Sequence, residues 1–99
     1  MIIVTGTLHA RADTLAEVLA LSREHVARSR GEPGCIEHGV AIDADDPHRL
    51  VFFERWADAA TLGVHLKLPV SRGFGKAVAA LVDEKPTLHI YEASERPIG

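Results

Sequence analysis

The sequence predicts an α+β domain with the element order β-α-β-β-α-β, built as one antiparallel sheet with helices on one face. Two observations predict it. Hydrophobic periodicity switches between two and about 3.6 residues in that order along the chain. The 99 residues supply one domain with one core. Residues 2–9 (IIVTGTLH) are β-branched and end at Arg11-Ala12-Asp13, so they read as a strand. Residues 14–29 place Leu15, Val18, Leu19, Ser22 and Val26 at helical spacing, with Asp13 as the expected N-cap. Gly31-Glu32-Pro33-Gly34 is turn chemistry. Residues 35–43 alternate as a second strand, and a loop of about five residues leads to a third, residues 49–56. Asp58 caps a short helix over 59–67, which Leu68-Pro69 interrupts. Helical spacing resumes over 70–84, and a last strand follows over 87–93. The tail after residue 93 carries no periodicity and is expected to be frayed or bound to a partner. This arrangement is ferredoxin-like, a single domain over residues 1–99.

Side-chain parity adds an assembly. Leu50, Phe52, Glu54 and Trp56 share one face of the third strand, and Val51, Phe53 and Arg55 the other. In the second strand, Ile36, His38, Val40 and Ile42 share a face opposite Cys35, Glu37, Gly39 and Ala41. Helices cover only one face, so the other would expose more apolar surface than soluble monomers do. A homodimer stacked sheet to sheet resolves this; a monomer whose tail folds over that face is the alternative.

Composition excludes several functions. With 46% apolar and 25% charged residues the chain is an ordinary globular one. A net charge of −3 gives no basic surface for nucleic acid. Cys35 has no partner for an internal disulfide and reads as a small buried residue rather than a nucleophile. No apolar run approaches the ~20 residues of a membrane helix, and the N-terminus lacks a basic leader, so a cytoplasmic protein is expected. Gly73-Phe74-Gly75-Lys76 is no phosphate loop, because Val70 and Ala77 stand where it needs Gly and Ser or Thr. No metal is expected. None of the six histidines has H-x-x-x-H or H-E-x-x-H spacing, and a site would have to be assembled from separate elements. His48 reads as a solvated loop residue and His25 as a boundary residue of the first helix. His9, His38 and His89 read as strand histidines with a hydrogen-bond partner each.

His65 stands apart. It borders the apolar stripe of the short helix that follows Trp56, so the two can converge where sheet and helices meet. An imidazole there can move a proton, and an indole offers a flat wall and one donor.

Glu32-Pro33-Gly34-Cys35, then Phe53-Glu54-Arg55-Trp56-Ala57-Asp58, then His65-Leu66 resemble the antibiotic biosynthesis monooxygenase family, with likeness from Ile2 to Tyr91. The resemblance implies a dimeric α+β barrel. It also implies oxidation of a small quinol, phenolic or enolisable substrate by O₂ without flavin, haem or metal. His65 would then be the base or an oxyanion donor and Trp56 the wall that orients the ring. Phe52, Glu54, His38 and Phe74 would contact the substrate, with Glu54 tuning His65 or bridging to a helix. Haem-degrading relatives use an Asn in the first strand, and this chain has no Asn. Phe53 and His38 replace tyrosines common in the family. The rival readings are a non-enzymatic barrel that binds a hydrophobic metabolite and an isomerase using the same base.

Overall fold

A computed structural model describes all residues, 1–99. Its elements are β1 (Ile2–His9), α1 (Leu15–Ser29), β2 (Cys35–Asp43), β3 (Asp46–Trp56), α2 (Ala59–Lys67), α3 (Pro69–Ala79) and β4 (Thr87–Glu92). The strands form one antiparallel sheet in the order β2-β3-β1-β4, the ferredoxin-like topology expected. Asp58 caps α2 as expected, its carboxylate accepting from the Thr61 N–H at 2.8 Å. Leu68 is extended at ψ 138°, and Pro69 opens α3 where its missing N–H costs nothing.

Four local expectations are corrected. The β2–β3 loop is far shorter than five residues, since Asp43 pairs with Asp46 around Ala44-Asp45. The carboxylates of Asp43 and Asp46 each accept the backbone N–H two residues on, at 2.8 and 2.9 Å, which closes the turn locally. Thr14, not Asp13, sits at the N-cap of α1, and no side chain caps it. The Thr14 hydroxyl instead donates to the Leu81 carbonyl at 2.6 Å, tying the start of α1 to the segment after α3. The helix expected over 70–84 ends at Ala79, because Val82 leaves it to bridge Ala10. Finally, a bulge between Cys35 and Glu37 inserts Ile36 as an unpaired residue. Parity therefore flips: Cys35 pairs with Trp56 and shares its helix-side face, while Ile36 is half exposed.

The core lies between the sheet and the helices. Leu8, Ala10, Val18, Val26, Leu50, Phe52 and Val78 form one cluster, and Ile2, Val4, Trp56 and Leu62 a second. Each fully buried aliphatic side chain contributes about 1.5–3 kcal/mol, so β3, which feeds both clusters, anchors the fold. Gly34 joins α1 to β2 at φ +81°, and a Cβ there would collide with the Thr61 side chain. Only glycine allows both that backbone and that approach to α2. No helix covers the other sheet face, where Ile3, Val51, Phe53 and Tyr91 lie with Thr5 and Thr7. Phe53 is 41% and Tyr91 52% exposed.

His9 ends β1 between two carboxylates, with Nδ1 2.7 Å from Asp83 and Nε2 2.9 Å from Asp46. It clamps the β2–β3 turn to the segment after α3. The Asp83 hydrogen bond chiefly, helped by Asp46, raises the His9 pKa above its ordinary 6.5. A raised folded pKa means the clamp's stabilisation is complete below pH 6.5 and fades as pH rises through the folded value. The gap in thermal midpoint between native protein and His9→Ala should therefore narrow as pH rises above neutrality. A gap that stays constant or widens would contradict the clamp.

Candidate functional site

A cavity of about 250 Å³ opens between the helix-side face of the sheet and α3. Phe52 and Glu54 reach it from β3, His25 from α1, His65 from α2, and Ser71 and Phe74 from α3. Phe74 stacks on His25 at 4.2 Å with an interplanar angle of 6°, so an imidazole and a phenyl form a layered aromatic pair at the cavity. The Ser71 hydroxyl is buried with no protein partner, a polar point left for whatever enters. Leu66 and Leu88 add apolar lining. A larger hollow of about 720 Å³ lies on the uncovered sheet face, among Thr5, Val51, Phe53 and His89. It holds neither His25, His65 nor Glu54, so the smaller cavity is the candidate site.

Behind the cavity three histidines converge. His25, His38 and His65 are all buried, with ring centroids 5.3–5.7 Å apart. His65 Nδ1 lies 2.7 Å from the Glu32 carboxylate, which can only accept a hydrogen bond, so Nδ1–H donates and, in the neutral ring, Nε2 is the acceptor. Trp56 backs His65 at 4.6 Å and donates its Nε1–H to Glu54 at 2.8 Å. His38 Nε2 stands 3.2 Å from the same Glu54 oxygen, without the alignment of a hydrogen bond. Burial lowers the His25 pKa to about 4, aided by His38, His65 and Arg28, so His25 is neutral at physiological pH. Burial pushes the Glu54 carboxyl up, but the imidazole of His38, the indole N–H of Trp56 and the neighbouring His65 outweigh it. Glu54 therefore stays ionised, below the usual range.

Of the residues the resemblance implies, Phe52, Glu54, His65 and Phe74 line one cavity. Trp56 and His38 do not line it. Trp56 is fully buried, so the aromatic wall comes from Phe74 and Phe52, and Trp56 instead braces His65 and Glu54. His38 lies deeper, against Glu54. The carboxylate on His65 is Glu32 rather than Glu54, because the turn before β2 carries Glu32 up to α2. His25 is no boundary residue: it is 6% exposed and faces the cavity. Its signal was the stripe Val18-Ser22-His25-Ser29, three or four residues apart on the buried side of α1. Cys35 packs beside the Trp56 cluster, and burial together with Glu54 and Glu32 pushes its thiol pKa up, which fits an inert residue.

Comparison with known proteins agrees with this architecture. The family model for antibiotic biosynthesis monooxygenase matches residues 1–83. An uncharacterised protein of Synechocystis sp. is 31% identical over 94 residues, covering 95% of this chain. This chain spans only 64% of that relative's length. A candidate antibiotic biosynthesis monooxygenase from Deinococcus radiodurans superposes with a TM-score of 0.94 at 28% identity, covering 99% of this chain and 97% of its own. A further crystal structure of an antibiotic biosynthesis monooxygenase gives 0.88 at 27% identity, covering 96% of this chain and 100% of its own.

Proposed function

The chain belongs to the antibiotic biosynthesis monooxygenase family, and from that membership we propose that it oxidises a small quinol, phenolic or enolisable molecule with O₂. The observation that carries the reading is the cavity of about 250 Å³ with an aromatic wall and a carboxylate-oriented imidazole at its edge. Ligand sites usually span about 300–1,000 Å³, so a substrate of one or two rings fits and a larger one does not.

The substrate ring lies against Phe74 and Phe52, with a hydroxyl toward Ser71. His65, its Nδ1–H held by Glu32, takes the acidic proton at Nε2. The resulting electron-rich anion reacts with O₂ in an apolar site whose walls exclude water. For an enolisable CH₂, the substrate supplies all the electrons: one oxygen atom ends as the new C=O, and the other leaves as water. Glu54 and Trp56 hold the floor under His65. The test is oxygen uptake across a panel of reduced quinols and naphthols, against autoxidation without protein. Uptake above that baseline supports the reading. Turnover of a panel compound without uptake would instead favour the isomerase alternative. No turnover at all would favour a metabolite-binding barrel.

The working unit we propose is a homodimer closed over the uncovered sheet face. Phe53 and Tyr91 sit there with Ile3 and Val51, an apolar surface on strands that pair only within the chain. Sedimentation should give a dimer, and Phe53→Glu, which sets a charge in that face, should give a monomer. A native monomer at high protein concentration would contradict this assembly.

A further inference from the structure

The three histidines carry more than the proposed oxidation uses. His25, His38 and His65 come from α1, β2 and α2, and each offers a ring nitrogen within 4.8 Å of the other two. The nitrogens on a tetrahedral ion stand roughly 3.4 Å apart, given bonds of about 2.0–2.1 Å, so modest side-chain rotation closes the set. His38 is the clearest sign. Its side chain is fully buried, and neither ring nitrogen has a hydrogen-bond partner. A buried imidazole left without an aligned partner is unfavourable, and a ligand at this point would satisfy it. His65 is already oriented as a metal-bound histidine is, since the Glu32 carboxylate holds Nδ1 and leaves Nε2 to face an ion. Glu54 puts a buried carboxylate 3.2 Å from His38 Nε2. Arg28 is the opposing charge, and its contact with His25 Nδ1 is long, at 3.4 Å.

We propose that His25, His38 and His65, with Glu54 beside them, form a binding site for one divalent first-row transition-metal ion. Three imidazoles and a carboxylate suit Zn²⁺ and Co²⁺ rather than Ca²⁺ or Mg²⁺, which prefer all-oxygen ligands. The inference stands on side-chain placement and not on the oxidation proposed above. Where both hold, ion and substrate proton compete for the same His65 lone pair, so Zn²⁺ inhibits oxygen uptake.

The test is titration of the chelator-treated full chain with Co²⁺, followed by its visible absorption, then displacement by Zn²⁺. The expected result is one Co²⁺ per chain with the intense bands of a four-coordinate ion. His38→Leu should abolish them with the far-ultraviolet dichroism intact. Glu32→Ala should weaken binding by about 10–100-fold. The surface group His9, Asp83 and Glu84 is the other possible chelator, so in the folded protein His9→Ala should leave Co²⁺ binding unchanged. Should His38→Leu not fold, the native spectrum and Glu32→Ala decide. The weak spectrum of a six-coordinate ion, no saturable binding, or binding lost with His9→Ala would each overturn the proposal.

Discussion

His65→Ala should lower substrate-dependent oxygen uptake by about 10²–10⁴-fold, the range that loss of a positioned general base produces. The effect should fall on kcat more than on KM, because the ring is held by Phe74 and Phe52 rather than by the imidazole. Glu32→Ala should show the same split in weaker form, since Glu32 touches His65 and does not line the cavity. Added imidazole should restore part of the rate in His65→Ala, which a purely structural role for His65 would not allow. Uptake that survives His65→Ala at near-native kcat would keep an oxygenase and remove this base from it.

Trp56→Ala should cost about 3–5 kcal/mol of stability, the usual cost of emptying a large aromatic site in a core. Trp56 is fully buried against Ile2, Val4 and Leu62, so the void has no solvent to fill it. The same change removes the donor to Glu54 and leaves an ionised carboxylate short of a partner. A domain with roughly 5–15 kcal/mol in total then stands near its unfolding limit. Trp56→Phe helps separate the two causes: it keeps most of the volume while removing the donor to Glu54, for about 1–3 kcal/mol. Urea unfolding measures both, and a loss below about 1 kcal/mol for Trp56→Ala would contradict the bracing role.

The sequence spoke clearly where local chemistry governs. Asp58 and Pro69 mark the ends of α2 because capping and proline geometry act within a few residues. Alternation along β3 placed Phe52, Glu54 and Trp56 on one face because a strand's parity is strict. The same rule holds in β2 for His38, Val40 and Ile42 and fails only at its start, where the bulge at Ile36 puts Cys35 on the helix side and composition gives no sign of it. The β2–β3 turn was misjudged because two aspartate side chains do the work of extra loop residues. The site was half legible. His65 and its neighbours on β3 follow from spacing, but His25, His38 and Glu32 join them only when α1, β2 and the turn between them pack. Spacing rules for metal sites read one element at a time, and this cluster draws one histidine from each of three.

Oxidation under isotopically labelled O₂, with the product analysed by mass spectrometry, tests the central claim most directly. A monooxygenase places one labelled oxygen atom in the product and the other in water, at a rate that depends on His65. Product that carries no label, its new oxygen having come from solvent water, would contradict monooxygenation in this cavity.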